Sequence, residues 1–269
     1  MSSVVEIHQL RTTDDVGLTL AYMPSPGSSL AVLCTHGVGS SFYTTTLFGV
    51  AQLLREQGFT VAVLNNRGHD YVWMNRPDGR WLGAAYERFE DCILDLEAAV
   101  GWLRERGHQR IVLAGHSLGC LKVGYAAVKR PDLAGAGLAL CSGPRLPHEH
   151  DEGVLAKARN LVASGRPDEL LFVPIPDEPP VARVFSAATY VNKYAPEANT
   201  NILKLADQLR LPALVLAGTE EPPMLAFAKD LQAALPNAAP LATVEGANHF
   251  YAGRQDVVAD VIGGWLRTL

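Results

Sequence analysis

Residues 111–119 read Ile-Val-Leu-Ala-Gly-His-Ser-Leu-Gly, and this stretch constrains the chain more than any other. Ile111, Val112 and Leu113 form a short apolar run of the kind that makes a strand buried on both faces. From Leu121 to Val128 the pattern is helical, and no breaker follows until Pro131. Between the two stands Gly115-His116-Ser117-Leu118-Gly119. A strand-to-helix bend this tight leaves no space for side chains at its two ends, which explains both glycines. It lifts the central serine clear of the backbone. The helix N-terminus beneath that serine favours negative charge. A glycine-rich turn whose serine only caps the helix would read the same way over five residues. Whether Ser117 is a nucleophile therefore depends on partners elsewhere in the chain.

Strand and helix alternate around this bend. Val4–Leu10 and Leu18–Met23 read as an opening hairpin. Leu30–Cys34, Phe59–Leu64, Arg110–Ala114, Ala136–Cys141, Leu211–Ala217 and Ala242–Glu245 read as further strands. Helical spacing marks Leu47–Gln57, the run Phe89, Ile93, Leu96, Val100, Leu103, and then Met224–Leu235 and Val257–Leu269. Residues 65–85 are irregular. The alternation predicts a mostly parallel sheet with helices on both faces. It breaks between about Arg145 and Arg210, where a helix is expected from Gly153 to Ser164, followed by a proline-rich stretch from Val173 to Pro180. A structureless loop that long is improbable in a compact domain. Residues 1–144 and 211–269 are thus expected to form the core, and 145–210 a small helical cap or lid.

The remaining features exclude more than they assign. A chain of 269 residues is one large domain, or one domain with an insertion. The net charge is −5 and no run of Lys or Arg stands out, so nucleic acid is a poor partner. No stretch approaches the roughly 18 apolar residues of a membrane span, and Met1–Glu6 lacks the basic and apolar start of a signal peptide. Cys34, Cys92, Cys120 and Cys141 stand singly among apolar residues, with no Cys-x-x-Cys spacing. Buried free thiols in a reducing, cytoplasmic setting are expected. His148 and His150 flank Glu149 without a third or fourth ligand, so no metal is called for, and no cofactor is implied. No pattern sets an oligomeric state.

A serine hydroxyl is a poor nucleophile at neutral pH. It needs a base, and the base needs an orienting carboxylate. Both follow Ser117 in the chain. The strand Leu214-Val215-Leu216-Ala217 runs into Gly218-Thr219-Glu220-Glu221-Pro222, which puts a carboxylate at a strand's C-terminal end. The short strand Thr243-Val244-Glu245 runs into Gly246-Ala247-Asn248-His249-Phe250, which supplies an imidazole. His249 is the expected base, and Glu221 or Glu220 the acid.

Five segments carry a resemblance: His36-Gly37, Asn66-Arg67-Gly68-His69, Gly115-His116-Ser117-Leu118-Gly119, Gly218-Thr219-Glu220-Glu221 and Asn248-His249-Phe250. With them the chain resembles the αβ-hydrolase superfamily along nearly its whole length, the insertion excepted. The resemblance implies an α/β fold with an eight-stranded, mostly parallel sheet, and a serine hydrolase whose catalytic residues are Ser117, Glu221 and His249. In the superfamily the acid is most often Asp, so Glu here is a departure. Pro222 after Glu221 is similar to the Asp-Pro common at this turn and favours Glu221. By family position the oxyanion hole is the backbone N–H of Leu118 and of Val38, with Gly39 the rival to Val38. The same resemblance makes His36, His69 and His116 structural, with His116 directed away from the reacting serine. More distantly, Tyr86–Cys92 and Leu118–Lys122 are similar to a subgroup of small hydrolases that includes siderophore esterases.

Serine at the bend speaks against epoxide hydrolysis and dehalogenation, which need a carboxylate there. The expected reaction is cleavage of a carboxylic ester, lactone or thioester. An acyltransferase or cyclising thioesterase could use the same residues, and a quiet ligand-binding protein could use the same scaffold. Aromatic residues in the irregular segments predict an apolar or bulky small-molecule acyl substrate, with Phe42, Tyr43, Trp73, Trp81, Tyr190 and Phe250 as lining candidates. No cluster of arginines faces the site by sequence, so a strongly anionic substrate is not expected.

Overall fold

The structure is a computed structural model that describes residues 5–44, 46–148, 151–174, 182–237 and 239–269. Its centre is a sheet of eight strands: β1 (Glu6–Arg11), β2 (Gly17–Met23), β3 (Leu30–Thr35), β4 (Thr60–Asn65), β5 (Arg110–His116), β6 (Gly137–Cys141), β7 (Ala213–Gly218) and β8 (Leu241–Val244). Their spatial order is β1-β2-β4-β3-β5-β6-β7-β8. β1 and β2 form the expected opening hairpin, and β2 also runs antiparallel to β4. Every other pairing is parallel.

Alternation within each strand makes two cores. In β3, Ala31 and Leu33 face one side while Val32 and Cys34 face the other; in β5, Ile111 and Leu113 divide from Val112 and Ala114 in the same way. Helices α1 (Thr46–Glu56) and α7 (Gln255–Leu266) cover one face with Leu47, Val50, Leu54, Val258 and Ile262. Helices α2 (Cys92–Glu105), α3 (Leu118–Lys129) and α6 (Pro222–Ala234) cover the other. With both faces buried, the central strands need no polar face, which is why they read as continuous apolar runs. The four cysteines are buried and unpaired, and burial pushes the thiols of Cys34 and Cys120 up to about 12. No helix among the described residues is long and apolar enough to cross a membrane.

The sequence predicts irregular chain over 65–85, and the structure adds a two-stranded hairpin there, Trp73–Met74 with Trp81–Leu82. Between β6 and β7 lies an insertion. It holds α4 (Glu152–Ala163), a hairpin of Leu170–Pro174 with Ala182–Ser186, α5 (Ala187–Tyr194) and a 3₁₀ segment, Ile202–Gln208. The side chains of Asp151 and Ser186 cap the two helices by accepting from Val154 N and Thr189 N. Val173 and Pro174 of the proline-rich stretch end a strand. Residues 175–180 of it, like Glu149 and His150, lie outside the described residues. Leu155, Leu161, Phe185, Tyr190 and Tyr194 of the insertion merge with the α2–α3–α6 core.

A buried ionic cluster joins the insertion to that core. Glu87 lies on the loop before α2 and takes Lys122 Nζ of α3 at 2.6 Å and Lys193 Nζ of α5 at 2.7 Å. Lys122 also donates to Asn66 Oδ1 and Lys193 to the Ala84 carbonyl. All three charged side chains are essentially inaccessible. Burial alone would push the Glu87 carboxyl up. The two facing ammonium groups outweigh it and hold the carboxyl down at about 2.

Candidate active site

The chemistry-bearing residues collect where the parallel strands end. Thr35 of β3 pairs with Gly115 of β5, His116 with Cys141 of β6, and Gly218 of β7 with Val244 of β8. The segments that follow these residues therefore open on one edge of the sheet, where ligands of α/β sheets bind. Ser117 is the first residue past β5. Its φ of 57° and ψ of −125° are a strained combination for a residue with a side chain. A Cβ on Gly115 would fall inside the backbone of Gly119, and one on Gly119 inside that of Thr35. The two glycines are thus required by contact, as the motif predicts. Gly37 is a third such position, since its Cβ would come 2.8 Å from Ser117 Cβ. The loop after β3 runs directly against the serine.

His249, in the loop after β8, places Nε2 at 3.1 Å from Ser117 Oγ and Nδ1 at 2.8 Å from Glu221 Oε2. An ionised carboxylate only accepts, so Nδ1 carries the hydrogen and Nε2 is free to accept from the serine hydroxyl. Glu221 directly precedes α6, with Pro222 as the first helical residue, and it is buried. Its other oxygen, Oε1, accepts from Gly218 N at 2.6 Å and from Ser142 Oγ. Burial raises this carboxyl, but the hydrogen bonds from His249, Ser142 and Gly218 outweigh it, and the net direction is down. Glu220 is exposed and makes no contact with the imidazole.

Around this chain of hydrogen bonds are residues the sequence did not single out. Ser142, first past β6, sits between Glu221 and the Tyr251 hydroxyl, which is 2.6 Å away. Since Ser142 donates to the carboxylate, Tyr251 donates to Ser142. Both are fully buried with positive φ, so the shape of the backbone as well as the bonds fixes them. The parallel register puts the residue after Cys141 beside the residue after His116, and that offset is the one signal that could have found Ser142. His116 donates from Nε2 to the His249 carbonyl at 2.7 Å, which anchors the base's loop. Burial depresses its pKa to about 3 and keeps it neutral. It also lines the cavity. His36 is likewise buried and held neutral, and its Nδ1 bonds the Gly37 carbonyl.

The Leu118 N–H, at the first residue of α3, has no acceptor among the described residues, and neither has the Val38 N–H. Val38 lines a cavity of about 350 Å³ that opens onto Ser117 and His249. That volume lies at the small end of ligand sites, roughly 300–1,000 Å³. Of the six aromatic and lining candidates, the structure brings only Phe250 to this cavity. Tyr190 stacks on Tyr194 inside the insertion, and Trp73 stacks on His69. Phe42 packs against Tyr43 and Phe48. Tyr43 and Trp81 are exposed, 61% and 57%, away from the cavity. Tyr190, Trp73 and Phe42 pack against neighbouring rings, the commoner use of an aromatic side chain. The walls come instead from Tyr71, Leu146 and Met224, together with Arg183 of the insertion hairpin. One arginine therefore faces the site, and it is not part of a cluster.

The model of a family described as "Alpha/beta hydrolase family" matches residues 32–261. The chain belongs to the alpha/beta hydrolase family. Solved alpha/beta structures align over nearly the whole chain. One is the dienelactone hydrolase from Anabaena variabilis, at 18% identity, covering 100% of this chain and 99% of that one, with a TM-score of 0.63. Another is Est1E from Butyrivibrio proteoclasticus bound to ferulic acid, at 18% identity with 96% and 98% covered and a TM-score of 0.69. A third is DcsB in complex with its substrate analogue, at 16% identity with 98% and 99% covered and a TM-score of 0.74. At these identities the likeness is one of fold. No curated protein matches the sequence. In this alpha/beta hydrolase the eight-stranded order and the helical insertion agree with the expected architecture.

Proposed function

We propose that this alpha/beta hydrolase cleaves a carboxylic ester, lactone or thioester through an acyl-enzyme on Ser117. The observation that carries the reading is the hydrogen-bond chain Ser117–His249–Glu221, held on a strained strand-to-helix bend. His249 Nε2 takes the Ser117 proton as Oγ bonds the substrate carbonyl carbon. The oxyanion sits between the Val38 and Leu118 N–H groups. Collapse of the tetrahedral intermediate breaks the bond to the leaving group, which receives the proton from His249. Water then attacks the acyl-enzyme, gives its proton to His249, and releases the acid as the proton returns to Ser117. Glu221 holds the ring in the right tautomer and stabilises the imidazolium throughout.

Several cavity residues, Thr44, Tyr71 and Phe250, are exposed, and Phe250 is 65% so. Water reaches the acyl group through this mouth, which favours hydrolysis over transfer to another alcohol or amine. Hydrolase relatives by name, such as the Anabaena dienelactone hydrolase, fit the same chemistry. In this reading residues 145–210 act as a cap that supplies part of the cavity wall, with 1–144 and 211–269 as the catalytic core. The four buried thiols fit a reducing compartment such as the cytoplasm.

A fluorophosphonate probe tests the reading directly. The parent protein should be labelled on Ser117, found by peptide mass mapping, and Ser117→Ala should not be labelled. A folded parent that resists the probe, or that is labelled elsewhere, overturns the mechanism. Product analysis with an added alcohol then separates hydrolysis from acyl transfer.

A further inference from the structure

Arg183 is out of place for an ordinary surface arginine. It lies on the insertion hairpin, opposite Val173, and shares a face with Phe185, which is wholly buried. It is half-buried and lines the same cavity as Ser117 and His249. The other buried or half-buried arginines each hold a carbonyl or a carboxylate. Arg55 holds the Pro24 carbonyl, Arg67 Asp95, Arg104 the Asp132 carbonyl, Arg130 Glu97 and Arg145 Asp230. Arg183 holds none among the described residues. No aspartate or glutamate among the described residues lines the cavity, although the chain carries a net charge of −5. His116, also in the wall, is neutral. Among the described residues the cavity therefore presents one permanent cation with an unused fork of donors, on the side of the insertion.

We propose that Arg183 binds a carboxylate carried by the substrate, so that the preferred ester is monoanionic, with its carboxylate several atoms from the scissile carbonyl. This rests on the hydrolase reading above and adds a substrate class to it. A guanidinium matches a carboxylate in two parallel hydrogen bonds, and the pair gains strength in a partly desolvated wall. One cation balances one carboxylate, whereas a phosphate dianion would leave a charge uncompensated. The apolar groups of Leu146, Met224 and Phe250 suit the carbon chain between the two ends.

The test compares p-nitrophenyl adipate monoester with p-nitrophenyl hexanoate, two esters of equal acyl length that differ in the terminal carboxylate. The ratio of their kcat/KM values should favour the anionic ester in the parent. Arg183→Met should lower that ratio by about 10- to 100-fold, chiefly through KM for the adipate ester. Arg183→Lys should recover part of the ratio and Arg183→Glu should invert it. A parent that cleaves both esters, with a ratio unmoved within two-fold by Arg183→Met, overturns the proposal but leaves the hydrolase reading standing. If neither ester is cleaved, the hydrolase reading fails, and binding decides the role of Arg183. Calorimetry of monomethyl adipate on Ser117→Ala should show binding that Arg183→Met abolishes. Equal binding by both, or none by either, overturns it.

Discussion

Replacing Ser117 with alanine should lower kcat on p-nitrophenyl hexanoate by about 10⁴- to 10⁶-fold. His249→Ala should cost about as much, and the double variant no more than either alone, because the two side chains act through one proton transfer. The loss should stop short of the uncatalysed rate. In the proposed mechanism the Val38 and Leu118 N–H groups and the cavity remain to stabilise an oxyanion that water generates. Glu221→Gln should lower kcat by about 10⁴-fold by spoiling the tautomer of His249. Glu220→Gln, an exposed neighbour outside the hydrogen-bond chain, should stay within about two-fold of the parent, as surface changes do. Steady-state kinetics on variants whose circular dichroism matches the parent checks all five. A Ser117→Ala protein that keeps a tenth of the activity would sink the covalent mechanism. A larger loss in Glu220→Gln than in Glu221→Gln would move the acid. Since the Glu221 carboxyl is held below its ordinary range, it stays charged well into acid. Its contribution is present above the free carboxylate value near pH 4.5 and is lost as pH falls through the lower folded value. A fall in activity at mildly acid pH therefore belongs to another group.

The parts legible in the sequence are those where chemistry restricts residue type. Only glycine fits where backbones touch, so Gly115 and Gly119 announced the bend. Only certain side chains move protons at neutral pH, so Ser117 and His249 could be paired across 132 positions. Pro222 favours Glu221 over its neighbour Glu220 in the sequence, and in the structure Glu221 is buried while Glu220 is exposed. Substrate contacts were the least legible. An aromatic ring reads the same whether it packs a hairpin or lines a cavity, and Tyr190, Trp73 and Phe42 do the former. Arg183 follows a proline-rich stretch with no periodicity, and its inward direction emerges only from the pairing with Leu170–Pro174. Ser142 bonds the acid and Tyr251 bonds Ser142, from two separate segments, a relation no local pattern encodes. The stretches Tyr86–Cys92 and Leu118–Lys122 meet at the Glu87–Lys122 ion pair. This is a buried scaffold contact, and neither residue lines the cavity at Ser117.

That scaffold contact should be the most sensitive non-catalytic point in the molecule. Glu87→Gln leaves two buried ammonium groups facing one amide. Breaking a buried ionic group by removing one partner costs about 3–5 kcal/mol. At roughly 2–4 °C per kcal/mol for a domain of this size, the melting temperature should fall by roughly 6–20 °C. The triple variant Glu87→Leu, Lys122→Met, Lys193→Met removes the charges together and should recover part of the loss, because uncompensated charge, rather than missing attraction, dominates the single change. Acid should act in the same direction as Glu87→Gln. A carboxyl held at about 2 in the fold and near 4.5 in the unfolded chain stabilises fully above pH 4.5 and loses that contribution as pH falls toward 2. The parent should lose stability over that window more steeply than Glu87→Gln, which has no carboxyl to protonate. Because Lys193 belongs to the insertion and Lys122 to α3, the helix that follows Ser117, loosening should appear first where these two meet. Hydrogen exchange of α5 and of the amides around Ala84 should rise in Glu87→Gln before the β3–β5 strands exchange. Uniform exchange across the sheet and the insertion, or a melting temperature within 2 °C of the parent, would show that the insertion is held by its apolar contacts with α2, α3 and α6 rather than by the buried charges.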